Sequence, residues 1–400
     1  MTVRIAKPSV NIREKLAELE RPIGLNGQAL LATETPQQAF DLLGARNRNR
    51  VINGDMRIDQ RNAGASVTAS ILQQQIFTLD RWCCYNDVIS KRTIQRSAVA
   101  PVGFTSSLSV TIIATDTVGP QQFLMQVIEG YNISDFAWGT SSAIPITLSF
   151  WVRSSVTGQH GGSIQNNSTA RSFPFAYTIN STNTWEYKTI NIAGETSGTW
   201  VTDNGVGLRL LFEHGPGYQK TTAGSWVTSN TTSSTGSVNL CATNGATWYI
   251  TGVQLEVGKV ATPFEYRSIG EELALCQRYY EKSFEDTTTP ANGSTTTSFI
   301  TEVGLTWGWA GHRAMYPAGG YLGRSVFVRF KVPKRVAPTV VLCGNSNGFP
   351  YIFDTANGSR WVTANWGVAS NKEGFEMQNE FTNATPMTVA FSHWTASAEL

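Results

Sequence analysis

Beyond residue 45, apolar residues either alternate with polar ones or form short unbroken runs, and both patterns are typical of β-strands. Runs of strand length occupy residues 107–115, 122–130, 145–155, 185–193, 205–215 and 247–258. Polar stretches rich in turn-forming residues separate them, and no helical pattern intervenes. Many short strands joined by long loops predict an antiparallel β-sandwich of the jelly-roll type over residues 46–266.

A helical pattern follows this first β region and a second β region follows the helix. In SIGEELALCQRYYEK, Ser268 is a helix cap, Glu271 occupies the capping-box position, and Ile269, Leu273 and Cys276 share one face. Strand-like runs such as SVFVRFKVP and PTVVLCG then continue to the end of the chain. We therefore expect a linking helix within residues 267–283 and a smaller β-sandwich over residues 284–400.

The first 45 residues are predicted to be helical. Two short amphipathic segments, NIREKLAELERP and TPQQAFDLLG, carry cap and stop signals at both ends. Their apolar positions include Ile12, Leu16, Leu19, Phe40, Leu42 and Leu43. Helices this short are marginal alone, so this segment needs a partner surface, either further copies of itself or a larger assembly.

Composition excludes several classes of protein. Charged residues make up 15% of the 400 residues and the formal net charge is +2, too little for a general nucleic-acid binder. Aromatic residues at 11%, with 12 Trp, argue against disorder. No run of 18 apolar residues and no signal-peptide pattern is present, so we expect neither membrane insertion nor export.

The cysteines and histidines indicate no metal site and no cofactor. The five cysteines are scattered apart from the adjacent pair Cys83 and Cys84, which is too strained for a bridge, and we expect reduced thiols. The four histidines lie far apart, and none has a metal-binding spacing. The thiols suit a protein made in a cytoplasm.

Several strings, taken in order, resemble phage tail-fibre and related virion fibre proteins. They are RNRVINGDMRIDQRNAG, LDRWCCY, GVQLEVGKVATPFEYRSIGEELALCQRYYEK, FKVPKRVAPTVV and the terminal WTASAEL. The resemblance implies a bacteriophage homotrimer attached to other virion proteins by its N-terminus, with β-domains facing outward. Members of this family differ in whether they bind host glycans, act as structural fibres or carry hydrolytic domains.

A second resemblance concerns the middle region. PITLSFWVRSS, TWYITGVQLEVG and VINGDM are similar to strand signatures of jelly-roll carbohydrate-binding modules. This resemblance supports the sandwich fold and implies a carbohydrate as ligand.

The distal region has the residue types that bind sugars. Aromatic faces stack on sugar rings, and amides and charged groups satisfy the sugar hydroxyls. The candidates are Trp307, Trp309, Tyr316, Tyr321, Tyr351, Arg360, Trp361 and Trp366. The alternative is that these aromatic residues fill a core or a trimer interface, because Trp307 and Trp309 have the spacing of one strand face.

A rival sugar-binding surface lies in predicted loops of the middle domain. Its candidate residues are His160, Asn166, Asn167, Tyr218 and Trp226, and the alternative is that they are loop tips with one aromatic ring packed beneath. Trp82 and Trp151, in contrast, lie within strand-like sequence and are predicted to be core residues.

Arg46, Arg48 and Arg50 alternate just after the helical segment, so an extended chain would place them on one side. This geometry suits carboxylates of a partner protein or a neighbouring subunit, and an ordinary solvated linker is the alternative. We assign them, with the N-terminal apolar positions, to virion attachment or oligomerisation.

No pattern typical of an enzyme is present. Glycoside hydrolysis needs two carboxylates across a cleft, and no spacing marks a pair among Asp135, Asp203, Glu213, Glu302 and Asp354. We expect a non-enzymatic, trimeric tail fibre that binds host-surface polysaccharide. A structural head or neck fibre and a polysaccharide depolymerase are the alternatives.

Overall fold

Two six-stranded antiparallel sheets pack face to face and enclose the main hydrophobic core. This computed structural model describes residues 47–71, 74–88, 91–119, 121–284, 288–290, 322–343, 367–381 and 393–400. The arrangement confirms the predicted mainly β, antiparallel sandwich. The six strands expected over residues 107–258 are all observed, each within a few residues of its predicted bounds.

The first two sheets have their strands interleaved along the chain. Sheet A has the order β1-β4-β5-β12-β7-β10, and sheet B has the order β2-β3-β6-β11-β8-β9. Their bounds are β1 Val67–Thr68, β2 Ile76–Leu79, β3 Trp82–Asn86, β4 Arg92–Ser97, β5 Ser107–Ile112, β6 Gln122–Glu129, β7 Ile146–Ser154, β8 Gly158–Gln165, β9 Ser172–Ile179, β10 Glu186–Ile192, β11 Val206–Glu213 and β12 Thr247–Val257.

Alternation along each strand selects the residues of the core. In β7, Ile146, Leu148, Phe150 and Val152 are fully buried in the core between the sheets. Because successive side chains of a strand point to opposite faces, the residues between them lie on the outer face of sheet A. Trp82 is also fully buried in this core, as predicted.

Strands β8 and β9 were not predicted from the sequence. The stretch TGQHGGSIQNN has the composition of a loop, but its glycines lie within β8. A Cβ on Gly161 would come 2.5 Å from the Ser233 hydroxyl, and one on Gly162 would come 2.4 Å from the Phe175 ring. These glycines allow neighbouring groups to approach the strand closely, which is a common use of glycine in sheets.

The strings that carry the fibre resemblance meet in one buried hydrogen-bond network. Asn49 donates to the carbonyl of Val253 at 2.9 Å and accepts from the amide of Leu255 at 3.0 Å. Trp82 donates through its indole to the carbonyl of Asn53 at 3.0 Å, and the Asn53 amide nitrogen donates to Glu272. This network therefore joins residues 49–53 to β3, to β12 and to Glu272.

The predicted helix is present as α1, Ile269–Gln277. The Ser268 hydroxyl accepts a hydrogen bond from the Glu271 amide at 3.2 Å, as the capping pattern predicted. Cys276 and Tyr279 pack with Ile52 and Ile58. Ile269 is 55% exposed, so it lies outside the buried face to which the sequence assigned it.

Two three-stranded sheets follow α1. Sheet C has the order β13-β18-β15, and sheet D has the order β14-β17-β16. Their bounds are β13 Tyr280–Lys282, β14 Leu322–Arg329, β15 Thr339–Cys343, β16 Gly367–Ser370, β17 Gly374–Phe381 and β18 His393–Ser397. Phe330, Phe375 and Trp394 belong to a small core of their own. Residues Asn49–Leu400 form one compact unit, and the predicted boundaries at residues 266 and 284 stay predictions.

Ionic contacts join the strands that follow α1 to the first sandwich. Arg278 donates two hydrogen bonds to Glu129 of β6, at 2.6 and 2.9 Å, and the Tyr279 hydroxyl donates to the same carboxylate at 2.6 Å. Arg61 pairs with Glu399 near the chain end at 2.9 Å. The chain end is therefore fastened to the surface of the first sandwich.

The helical prediction for the first residues lies outside the described part of the chain. This applies to Ile12, Leu16, Leu19, Phe40, Leu42, Leu43 and Arg46. Among the described residues, no helix combines the length and apolar character needed to cross a membrane. The thiols of Cys83, Cys84, Cys241 and Cys276 are free and buried.

Candidate functional site

The outer face of sheet A is divided into a covered half and an open half. The covered half carries Gln254 and Glu256 of β12, and the segment of residues 259–267 lies over them. Glu256 accepts hydrogen bonds from the Thr262 amide at 2.9 Å and from its hydroxyl at 2.6 Å. Gln254 accepts from the amide of Glu265 at 2.8 Å. These bonds satisfy the polar groups beneath the segment.

The open half carries a cluster that we call the aromatic face: Trp151, Arg153, Trp185, Tyr187 and Tyr249. Strand register brings it together, because Tyr187 of β10 lies opposite Trp151 of β7, and Arg153 of β7 lies opposite Tyr249 of β12. Tyr187 is 44% exposed and the other four are half-buried.

The rings of the aromatic face contact one another at regular spacing. The ring centroids of Trp151 and Tyr187 are 5.4 Å apart, and those of Trp185 and Tyr249 are 6.3 Å apart. The Arg153 guanidinium carbon lies 5.2 Å from the centroid of the Tyr249 ring, a cation–π distance. The rings therefore support each other on a rigid sheet while keeping exposed surface.

A second aromatic cluster lies beside this face and consists of Phe104, Phe264 and Tyr266. We call it the wall. Its ring centroids are 5.0 to 5.6 Å apart, and Tyr266 is 60% exposed. The Tyr266 hydroxyl donates to the carbonyl of Gly103 at 3.1 Å. Partial burial raises the pKa of Tyr266.

Gly252 connects the wall to the face. It has a left-handed backbone with φ of +62°, next to a register irregularity in β12. A Cβ at this position would come 2.7 Å from the Phe104 ring and 3.2 Å from the Trp151 ring. A ring of the wall and a ring of the face therefore both lie against a residue without a side chain.

Small polar side chains continue the rows of the aromatic face. Ser109 of β5 lies opposite Tyr249, and Gln95 of β4 lies opposite Ser109. Thr251, opposite Trp151, is fully buried, and its hydroxyl has no hydrogen-bond partner among the described residues. The open half thus combines exposed rings with the exposed amide of Gln95, while the hydroxyls of Ser109 and Thr251 are buried.

Trp151 corrects a sequence-based assignment. It was predicted to be a core residue, but it alternates with Phe150 and Val152, which occupy the core, and so lies outside. Sequence reasoning missed Arg153, Trp185, Tyr187 and Tyr249. The alternation in ITLSFWVRS was the available signal, but it could not tell which of its two faces was buried.

The prediction of a sugar-binding surface in loops of the middle domain is wrong for His160. His160 lies in β8 rather than a loop, is 1% exposed, and places its Nε2 3.0 Å from the carbonyl of Val156. Burial lowers the pKa of His160. Asn166 is buried, and Trp226 packs against Trp138 and Trp200, at 5.2 and 5.5 Å. Of the five, only Asn167 is well exposed.

The distal candidate residues lie outside the described part of the chain. They are Trp307, Trp309, Tyr316, Tyr321, Tyr351, Arg360, Trp361 and Trp366. Their role in sugar binding stays a prediction.

Arg50 has a carboxylate partner within its own chain. It pairs with Asp135 at 2.5 Å, and its guanidinium carbon lies 5.6 Å from the centroid of the Phe136 ring. The sequence assigned this side chain to a partner protein or a neighbouring subunit. Arg48 is half-buried, and the attachment role of this arginine series stays a prediction.

Of the five carboxylates considered for hydrolysis, the structure describes Asp135, Asp203 and Glu213. Glu213 is buried and accepts hydrogen bonds from the amides of Gln122 and Gly215, both at 3.0 Å. Burial raises its pKa. Glu302 and Asp354 lie outside the described residues. In the part of the chain that the structure describes, no group of three or more His, Cys, Asp or Glu side chains is arranged to hold a metal ion.

Comparison with known proteins gives similar structures but no related sequence. No protein-family model matches the chain, and no curated protein matches it. The enzymatically active domain of tailspike protein 4 of bacteriophage CBA120 is 12% identical with a TM-score of 0.28, over 52% of this chain and 21% of that one.

Two carbohydrate-binding structures also align. A putative sugar binding protein from Bacteroides thetaiotaomicron is 10% identical with a TM-score of 0.31, over 53% of this chain and 100% of that chain. The family 11 carbohydrate-binding module of a cellulosomal cellulase of Clostridium thermocellum is 12% identical with a TM-score of 0.25, over 49% of this chain and 98% of that one. The aligned part of this chain thus spans about a fifth of the tailspike domain and nearly all of each of these two proteins.

Proposed function

We propose that this protein is a virion fibre protein that binds host-surface polysaccharide through the aromatic face of sheet A. The observation that carries the proposal is the open half of that sheet, where Trp151, Trp185, Tyr187 and Tyr249 expose ring surface in the same rows as the exposed amide of Gln95. Exposed aromatic clusters on a rigid sheet are uncommon on surfaces without a binding role.

The chemistry of the face suits a sugar chain. A sugar ring has an apolar side that packs on an aromatic ring and an edge of hydroxyls that need hydrogen-bond partners. The exposed side-chain amide of Gln95 supplies such a partner in the same row as Tyr249. Because the face and the wall both present rings, the surface offers stacking positions for more than one sugar unit.

The assignment to a virion rests on the sequence resemblance. In this proposal, the N-terminal helical segment attaches three chains to the particle, and weak single-site binding is multiplied by avidity. The protein binds the polysaccharide without cleaving it. The depolymerase alternative requires cleavage, and the structural-fibre alternative requires no glycan binding.

Binding assays on the purified full chain test the proposal. A glycan array identifies bound polysaccharides, and affinity electrophoresis measures how strongly each retards the protein. The variants Trp151→Ala and Tyr187→Ala should each weaken binding by tenfold or more, since truncation of a central aromatic contact typically costs about 2 kcal/mol or more. Tyr131→Ala is the matched control, because Tyr131 is 59% exposed but lies outside the aromatic face.

Each outcome has a definite meaning. Binding lost in Trp151→Ala and kept in Tyr131→Ala supports the proposal, and equal binding by both variants contradicts it. Release of reducing sugar ends from a bound polysaccharide would favour the depolymerase. A native mass of three times the 43.7 kDa of one chain supports the trimer, and a monomer mass contradicts it.

The composition of the aromatic face, which consists of Trp, Tyr and Arg, also favours the structural-fibre alternative. Tyr, Trp and Arg are also enriched in protein–protein interfaces, so copies of the chain could cover the aromatic face. In that case Tyr187→Ala would lower the native mass without affecting any glycan binding.

A further inference from the structure

The contacts of Arg153 in the described part of the chain include no ion pair with a carboxylate. The arginines with such a carboxylate partner are Arg50, Arg57, Arg61, Arg81, Arg171, Arg267 and Arg278. Arg153 is the arginine that lies within the aromatic face, opposite Tyr249.

The guanidinium of Arg153 is held in position by two contacts. Its Nε donates to the backbone carbonyl of Asn183 at 2.8 Å, and its carbon lies 5.2 Å from the centroid of the Tyr249 ring. Neither contact uses the two terminal nitrogens. Arg153 therefore presents two parallel donors from a fixed plane, and these donors match the two oxygens of a carboxylate or phosphate.

The acidic groups on neighbouring strands are already occupied. Glu256 of β12 is buried in the covered half, where Thr262 donates two hydrogen bonds to it. Glu186 of β10 alternates with Tyr187 and so lies on the opposite side of that strand, paired with Lys188 at 2.7 Å. No described carboxylate of these strands is therefore available to neutralise Arg153.

Hydrogen bonds from neighbouring groups also lower the pKa of the Glu186 carboxyl. Slight burial acts to raise the pKa of its carboxyl, but hydrogen bonds from Lys188 and from the amides of Ser181 and Asn180 outweigh this and lower it to about 2. The carboxylate is thus ionised and satisfied where it lies.

We propose that the aromatic face selects anionic polysaccharides, with Arg153 binding a carboxylate or phosphate carried by a sugar that lies against Tyr249 and Trp185. This inference rests on the proposed function, since it names the class of carbohydrate that the same face binds. The rings supply contact with the sugar body, and Arg153 supplies the preference for charge.

A matched pair of polymers tests this selectivity. Polygalacturonate and its fully methyl-esterified form share one sugar backbone, and esterification removes the charge. A phosphorylated mannan and the same mannan after enzymatic dephosphorylation form the phosphate arm. Affinity electrophoresis and isothermal titration calorimetry are done with the full chain at low and high salt.

We expect the wild type to bind the charged member of at least one pair at least tenfold more tightly than the neutral member. Arg153→Gln should abolish this preference, so that the variant binds the charged member no more tightly than the neutral member. Arg153→Lys should keep part of the preference, because it retains the charge without the planar fork. Lys372→Gln, which removes an exposed charge in the turn between β16 and β17, should change nothing.

Failure of this inference is distinguishable from failure of the proposed function. If the wild type binds the charged and neutral members of both pairs equally, or if Arg153→Gln keeps the preference, charge selection by Arg153 is wrong while carbohydrate binding stands. If Trp151→Ala binds every polymer as the wild type does, or if the wild type binds no carbohydrate on the array, the proposed function itself fails. Circular dichroism of each variant confirms that a loss of binding is not a loss of fold.

Discussion

Substitution of Gly252 by alanine should disrupt the aromatic face without removing any aromatic ring. Gly252 lies beneath both Phe104 and Trp151 with a φ of +62°. An added Cβ would lie 2.7 Å from Cζ of Phe104, closer than carbon atoms approach without displacement. The Phe104 ring must therefore move away from the wall, or the strand must shift beneath Trp151.

The expected loss of stability in Gly252→Ala has two parts, one from the backbone and one from packing. A left-handed backbone costs a residue with a Cβ about 1 to 2 kcal/mol, and forcing an extra carbon into a packed site costs about 1 to 3 kcal/mol. Gly252→Ala should therefore lower the free energy of unfolding by about 2 to 5 kcal/mol. Displacement of the rings should also weaken polysaccharide binding.

The control variant Gly245→Ala isolates the cost of the left-handed backbone. Gly245 has a similar φ of +78°, and an added Cβ would have no atom within 4 Å. This control should lose about 1 to 2 kcal/mol and keep its binding. The difference between the two variants measures the ring displacement alone.

Urea denaturation followed by tryptophan fluorescence gives both free energies, and affinity electrophoresis gives binding. Equal loss of stability in the two variants, together with unchanged binding by Gly252→Ala, would refute the packing argument. It would show that the wall and the face are separate surfaces.

Three further predictions concern the stability and reactivity of the fold. Lys334→Met should lower the free energy of unfolding by about 3 to 5 kcal/mol in urea titrations, because it removes the ammonium group that lies 2.6 Å from the buried Glu281 carboxylate. Adding Glu281→Gln should recover much of this loss, and no recovery would contradict the importance of this ion pair. Burial acts to raise the pKa of the Glu129 carboxyl, but hydrogen bonds from Arg278 and Tyr279 outweigh it and hold the pKa below its ordinary value of 4.5. The native state thus favours the ionised form, so the stability from the Glu129 carboxylate is present above about pH 4.5 and is lost as the pH falls through the lower native pKa. The Glu129→Gln variant should therefore be less stable than the wild type at pH 7 and lose less stability on acidification. Identical profiles of stability against pH for the two proteins would exclude this role. Burial raises the pKa of the thiols, so a thiol reagent at pH 8 should label them only after unfolding, as peptide mapping would show for Cys83, Cys84, Cys241 and Cys276.

The sequence by itself determined the elements whose signals are local. Strand β7 was predicted because apolar residues recur at every second position from Ile146 to Val152, and that period places one face in the core. Helix α1 was predicted because Ser268 and the Glu271 amide cap it within four residues. Both signals act over one element and need no knowledge of neighbouring strands.

Only the tertiary structure decided which surface is open. Trp151, Tyr187 and Tyr249 belong to three strands far apart along the chain, and their register alone brings the rings together. The segment of residues 259–267 covers the other half of the same sheet through hydrogen bonds to Gln254 and Glu256, and nothing in the alternation of β12 distinguishes the two halves. Burial is a property of what packs against a strand, and that depends on long-range contacts that a local pattern does not contain.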